Sequence, residues 1–401
     1  MTFLRLCCLL AAILHCLPAA AGQPRGGAAP ADGNRYRIVA YYFPAAAIRP
    51  ALAPEDIDGR LLTHVNFAFA NIRDGRVVAG DEAADTGPAG HIARLQALRR
   101  RHPHLKTLIS VGGWNWSAHF SDAALDEASR RRFADSAADF ARRHGFDGVD
   151  LDWEFPVAGG ADGNVRRPED KRNFTLLLRA VRDALDAAGR RDRRRYLLTI
   201  AAGNNATYIA NTEMREVARI VDWVNVMTYD FHGPWSRYAG HNAPLRDDPT
   251  IGRAEADRRF NVASVVAMMR EAGVPSRRLV LGMPFYGYSW TGCGTAQRGQ
   301  FQDCRGKGRG STEAGTLEFS WIHENLIDRE GFVRHWNAAG QVPYLFHEAT
   351  GEFVTYDDAQ SIAAKARFVR DRRLGGAMFW HLGADRGTLL QRSLSRALRD
   401  R

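Results

Sequence analysis

Short apolar runs rich in β-branched and aromatic residues recur along the chain, separated by stretches whose apolar positions return every three or four residues. The runs are RIVAYYF (37 to 43), LLTHVNFAF (61 to 69), LKTLISVGG (105 to 113), DGVDLDWE (147 to 154), YLLTIAAG (196 to 203), DWVNVMTYD (222 to 230), RLVLGMPFYG (278 to 287) and LGGAMFWHL (374 to 382). The intervals DEASRRRFADSAADFARRHG (126 to 145) and KRNFTLLLRAVRDALDAAG (171 to 189) are amphipathic. Eight strands alternating with helices predict an α/β fold, a (β/α)8 TIM barrel within residues 35 to 401, with an open doubly wound sheet as the alternative. No Gly-rich phosphate loop follows the first strand, where a dinucleotide-binding fold would need one.

One interval breaks the alternation. Between the seventh and eighth strands, residues 289 to 357 are rich in Gly and aromatics and carry the strand-like QVPYLFHE and GEFVTYDD. A small α+β insertion is expected there. In a barrel it emerges on the loop face where active sites are built, so it should wall one side of a cleft.

The composition is that of a globular protein, 45% hydrophobic and 25% charged over 401 residues. The formal charge of +10 is carried almost wholly by arginine, because lysine occurs only at Lys106, Lys171, Lys307 and Lys365. The basic runs RRRH (99 to 102) and RRDRRR (190 to 195) sit at predicted helix ends, where cations suit the dipole and water. No interleaved aromatics or recognition motif accompany them, which argues against a nucleic-acid partner. The N-terminus MTFLRLCCLLAAILHCLPAAAGQP has a basic start, an apolar stretch and small residues before Gly22, predicting a cleaved secretory signal over 1 to 21 and a flexible lead-in over 22 to 34. The apolar stretch is short for a membrane span. The expected product is a secreted monomer, extracellular or periplasmic, with no membrane partner. Cys7, Cys8 and Cys16 leave with the signal; the remaining Cys293 and Cys304 invite one disulfide in an exported chain and lack the histidine pair of a zinc site.

In FDGVDLDWEFP (146 to 156), Val149, Leu151 and Trp153 alternate with Asp150, Asp152 and Glu154, so three carboxylates share one strand face at spacings of roughly 6 to 7 Å. At that range in a low dielectric each raises the pKa of the next, a cost that points to function. Glu154 falls at the C-terminal end of its strand, where barrels keep catalytic groups, and the charges of Asp152 and Asp150 are expected to hold it protonated as a general acid. Asp147 is out of phase with the other three and is expected to stabilise the strand start. Other strand ends offer Tyr41, Phe43, Phe67, Ser110, Gly113, Trp114, Met227, Tyr229, Asp230, Tyr286 and Trp380. Flat aromatic faces suit pyranose rings, acids and hydroxyls suit their OH groups, and Gly112 and Gly113 admit a close backbone approach. Taken singly, each aromatic is more often core than site, because barrel strands need bulk; together at strand ends beside three acids they point to a site. A divalent-cation site built from the same acids is the alternative, although side chains at i and i+2 on one strand point in parallel and wrap an ion poorly.

DGVDLDWE resembles the D-x-x-D-x-D-x-E signature of family 18 glycoside hydrolases, the chitinases and their relatives. AYYF, SVGGW, MTYDFHGPW, MPFYG and GGAMFW resemble further segments of that family in its order, over about residues 35 to 390. The insertion resembles the α+β domain of the deep-cleft, bacterial-type subgroup. The resemblance implies a (β/α) barrel without metal or organic cofactor that hydrolyses β-1,4-linked N-acetylglucosamine in chitin or chitooligosaccharides with retention. It implies that Glu154 protonates the glycosidic oxygen and later activates water, while Asp152 holds the substrate's N-acetyl group, whose oxygen attacks the anomeric carbon to give an oxazolinium ion. Asp150, backed by Tyr41 and Ser110, would exchange a proton with Asp152. Tyr229 would donate to the acetamido oxygen and Asp230 would help position it.

By the same resemblance Trp380 floors the sugar being cleaved, Trp114 and Trp235 are platforms on the leaving-group side, and Met227 and Tyr286 line the pocket. The family often has Arg two residues after the Tyr of FYG, whereas Tyr288 stands here, so subsite preferences are expected to differ. Two other functions share the barrel. An endo-β-N-acetylglucosaminidase acting on N-glycans uses the same acids but matches the aromatic platforms and cleft-walling insertion less well. A chitin-binding lectin commonly lacks the acid that Glu154 provides here.

Overall fold

The computed structural model describes residues 35–44, 52–249 and 257–399. The expected signal and lead-in, with Cys7, Cys8 and Cys16, lie outside the described residues. Up to Pro284 the chain forms β1 (Arg37–Tyr42), β2 (His64–Arg73), its antiparallel partner β3 (Arg76–Ala79), β4 (Lys106–Gly112), β5 (Gly148–Asp152), β6 (Leu197–Ala202), β7 (Trp223–Val226) and β8 (Leu279–Pro284). A second sheet follows, made of β9 (Tyr286–Thr291), β10 (Gly306–Lys307), β11 (Thr316–Glu318), β12 (Phe332–Asn337), β13 (Val342–His347) and β14 (Glu352–Thr355). The last strand, β15 (Gly376–Trp380), returns to the first sheet between β8 and β1.

Pairing of β1 with β2, from Val39 beside His64 to Tyr42 beside Phe67, closes eight parallel strands into the predicted (β/α)8 barrel. Alternation sorts the side chains. Val65 and Phe67, Val149 and Leu151, Leu198 and Ile200, and Val224 and Val226 lie in one large cluster with the helices. Val39, Tyr41, Ala68, Trp223, Val280 and Met378 form a second cluster, which runs on through Tyr286, Tyr288 and Trp290 into the inserted sheet. The barrel interior and the insertion thus share one core, which fixes the insertion as a wall over the barrel mouth.

The helices form where the apolar period and caps agree. The helix Glu127–Arg143 starts at Asp126, whose carboxylate accepts from the Ser129 N–H at 2.8 Å, a cap worth about 1 kcal/mol, and it buries Phe133, Ala137, Phe140 and Ala141. The basic runs serve the N-terminal rim of the barrel, where Arg99 and Arg194 pair with Asp147 and Arg195 pairs with Asp222.

Two features differ from those expected. The seventh predicted run divides into β8 and β9, so the inserted sheet begins at Tyr286, ahead of the expected Ser289. The hairpin strand β3 was not anticipated, because RVVA is short; its signal is the two-residue turn Asp74-Gly75, both at positive φ. Within the insertion the sulfurs of Cys293 and Cys304 lie 2.08 Å apart. Among the described residues no helix is long and apolar enough to cross a membrane.

Candidate active site

Asp150 is fully buried in the barrel and accepts four hydrogen bonds. Tyr41 Oη and Ser110 Oγ each donate to Oδ2 at 2.8 Å, Asn225 Nδ2 donates to Oδ1 at 3.3 Å, and Thr199 Oγ1 donates to the same atom. Thr199 and Asn225, from β6 and β7, were not among the expected residues; both are polar groups in otherwise apolar barrel strands, which is the signal that could have found them. Burial pushes the Asp150 carboxyl up and these donors pull it back.

Asp152, next on the same face, is 4% exposed, and its Oδ1 has no hydrogen-bond partner. Burial, then the charge of Glu154, then that of Asp150 push its carboxyl well above the usual carboxylate range.

Glu154 sits two residues beyond the end of β5, anchored through its backbone. Its N–H donates to Ser117 Oγ at 2.9 Å and its carbonyl accepts from Asn164 Nδ2 at 2.7 Å. Ser117 Oγ also lies 2.9 Å from the Gly113 carbonyl, tying the acid to the loop that carries Trp114. A Cβ on Gly160, at φ +76°, would stand 2.0 Å from the Glu154 carbonyl oxygen, so only glycine lets the following loop close over this peptide. Burial pushes the Glu154 carboxyl up to about 8, and the next cause is the charge of Asp230. The mutual push between Asp152 and Glu154 is present, with burial the largest cause at Glu154 and the Asp230 charge an addition that was not expected. Asp152 and Glu154 each raise the other, so the two titrate as a pair.

Asp230 has φ +61°, an uncommon conformation for a residue with a Cβ, and its surroundings hold it there. Its N–H donates to Asn242 Oδ1 at 2.8 Å, and its Oδ1 accepts from Tyr286 Oη at 2.5 Å and Tyr288 Oη at 2.8 Å. Asn204 Nδ2 donates to the carbonyls of Met227 at 3.0 Å and Tyr229 at 2.5 Å, fixing the segment that leads into Asp230. Asp230 is exposed to the groove, yet the walls stand close enough that burial raises its carboxyl, against the pull of the two tyrosines. Burial and the Asp230 charge push the Tyr229 hydroxyl well up, so it remains a proton donor.

Trp380 stacks on Phe69 with centroids 5.6 Å apart and planes at 18°, flanked by Tyr41 at 5.6 Å and Phe43 at 5.4 Å. Trp114 and Trp235 are 54% and 63% exposed, and the Trp235 ring meets Tyr288 edge-on at 5.2 Å. Met227 is half-buried in the same cluster. Phe67 does not belong to the site. It packs on Tyr42 and Phe146 in the outer core, because its alternation phase points it to the helices. A break in register between Ala68 and Ala70 brings Phe69 into the aromatic group instead. Gly113 is also corrected: its missing side chain makes room for the Phe69 ring, 2.7 Å from where a Cβ would be, while Gly112 faces the Asp152 carbonyl. Asp147 stands at the opposite rim, accepting from the Thr107 N–H at 2.9 Å beside Arg99 and Lys106. Among the described residues no three His, Cys, Asp or Glu side chains gather as cation ligands.

A carboxyl that burial pushes up, at the aromatic-lined C-terminal mouth of a (β/α)8 barrel, fits the class of glycoside hydrolases. Residues 37–385 match the sequence profile of Glycosyl hydrolases family 18. The chain is 44% identical to Chitinase A1 of Niallia circulans over 98% of its own length and 62% of that protein's, so it spans less than two thirds of this relative. It is 32% identical to Chitinase B of Serratia marcescens, over 86% of this chain and 76% of the relative. Its fold is similar to the solved chitinase ChiA74 from Bacillus thuringiensis, with a TM-score of 0.87 and 36% identity over 90% of this chain and 69% of that one. The chain belongs to glycosyl hydrolase family 18.

Proposed function

We propose that this protein is a secreted chitinase that cleaves β-1,4 bonds between N-acetylglucosamine units with net retention, the substrate's acetamido group acting as nucleophile. The observation that carries the reading is the pair Asp152 and Glu154. One offers a buried carboxyl oxygen without a partner, and the other a carboxyl that burial holds protonated near neutral pH.

Glu154 gives its proton to the glycosidic oxygen as the bond from that oxygen to the anomeric carbon breaks. The acetamido oxygen closes on the same carbon, with the amide N–H donated to Asp152 and Tyr229 Oη donating to the acetamido oxygen. Asp150 and its four donors steady the charge on Asp152 by sharing its proton. Glu154, now a carboxylate, takes a proton from the water that opens the oxazolinium ion, and the starting state returns. Trp380 floors the reacting sugar, with Phe43, Met227 and Tyr286 around it. Trp114 and Trp235, both exposed at the rim, suit the next sugars of a linear chain. The Cys293–Cys304 pair as a disulfide and the apolar leader fit an exported protein.

Incubating the full chain with a chitin hexamer, and following product lengths and anomers over the first minutes, tests the reading. β-Anomers of shorter N-acetylated oligomers are expected; α-anomers, or no cleavage, would refute it.

A further inference from the structure

We propose that Tyr288, supplied by the insertion strand β9, is a positioning residue for the reaction: together with Tyr286 it holds Asp230 as a fixed anion beside Glu154 and so sets the pH range in which the acid works. The inference rests on the glycosidase reading above.

Two phenol hydroxyls from one strand converge on the same carboxylate oxygen, at 2.5 and 2.8 Å. Among the described residues no arginine, lysine or histidine forms an ion pair with Asp230, so these two hydroxyls are the donors that steady its charge. The groups facing Asp230 are Tyr286 and Tyr288 from β9, its neighbour Tyr229, and Glu154 beyond β5, with Asp152 deeper. None of these is a cation. Burial is the first cause of the raised Glu154 carboxyl and the Asp230 charge adds to it, while the two O–H groups pull the Asp230 carboxyl back toward ionisation against its own burial. The Tyr288 ring also meets the exposed Trp235 edge-on, so one side chain of the insertion touches both a rim platform and the anion next to the acid.

The test is the pH profile of kcat/KM on a chitin hexamer for the full chain, Tyr288→Phe and Tyr288→Arg, with the Asp230 carboxyl followed by 13C NMR in each free protein. Tyr288→Phe keeps the ring and removes one donor, so Asp230 takes up its proton at higher pH. The acid limb and the Asp230 titration should both rise by about half to one unit, with kcat several-fold lower and KM little changed. Tyr288→Arg places a cation beside two carboxyls, favours both ionised forms, and should lower both limbs. Should the Arg variant fail to give a cooperative melt, Tyr286→Phe, which removes the other donor, must move the acid limb upward as Tyr288→Phe does. An Asp230 titration unmoved by Tyr288→Phe overturns the proposal, whether or not the wild type cleaves the hexamer. Absence of wild-type cleavage, with the titration moving as expected, would count instead against the chitinase reading.

Discussion

Asp150 and Asp152 are two residues apart on β5, yet the first has both carboxyl oxygens engaged by four donors while the second keeps a buried oxygen with none. That asymmetry separates a support from a binding group. The inner acid is solvated by protein and can hold charge, whereas the outer one is left for a ligand to satisfy.

Tyr41→Phe probes the support. It removes one of the donors that pull the Asp150 carboxyl down against burial, so Asp150 becomes harder to ionise and returns the shared proton to Asp152 less readily. We expect kcat to fall several-fold and stability to drop by about 1 kcal/mol, since a single bond to a buried acceptor is lost. Steady-state kinetics and denaturant unfolding check both numbers.

Glu154→Gln should reduce kcat by roughly three or more orders of magnitude with oligosaccharide binding retained, because it removes the proton donor. It should also stabilise the protein, in a pH-dependent way. The folded-state pKa is raised from its ordinary 4.5 to about 8, so between those values the native state binds more protons than the unfolded chain. Wild-type stability therefore falls as pH rises through that window, and the neutral Gln escapes the loss. The difference should be near zero at pH 4 and roughly 2 kcal/mol at pH 9, allowing for water in the groove. Melting curves of the two proteins at both pH values decide it; equal melting temperatures at pH 9 would mean that the acid is not buried at a cost.

The barrel was legible because each of its strands is an apolar run bounded by turn residues, and the acid face was legible because period-2 alternation holds through Asp152. Legibility ended where the backbone leaves the strand. Glu154 belongs to a turn whose geometry depends on Ser117 and Asn164, polar residues outside the strands that no pattern in the sequence singles out. Two further causes of the acid's raised carboxyl, burial and the Asp230 charge, were not legible for a related reason, since Asp230 comes from a different strand end and its proximity is a property of barrel closure. Asn204 and Asn242 act through backbone groups, which no side-chain pattern reveals.

Ser117→Ala leaves the Glu154 N–H without its acceptor and frees the loop that carries Trp114. A part-buried N–H stripped of its partner costs about 1 to 3 kcal/mol. Small displacements of an acid from its proton path are costly to rate, so we expect kcat to fall about tenfold or more with KM changed less. Kinetics showing wild-type kcat would mean that the bond from Ser117 does not fix the acid.

Phe67 and Phe69 are two residues apart on one strand, and a paired substitution separates core from site. Phe67 is 1% exposed among the outer-core rings, so Phe67→Ala opens a cavity and should cost about 3 to 5 kcal/mol while leaving KM of the folded enzyme near that of wild type. Phe69 is half-buried and stacks on Trp380, and Gly113 is glycine so that this ring can fit. Phe69→Ala loses less burial but lets the Trp380 ring tilt, so KM should rise about tenfold with a stability loss of roughly 1 to 2 kcal/mol. Gly113→Ala should reproduce the Phe69 phenotype from the other side, because a Cβ there collides with the same ring. Unfolding curves and KM for the three variants provide the check. A KM change in Phe67→Ala, or none in Phe69→Ala, would return the site to the residue that simple alternation along β2 cannot bring to it.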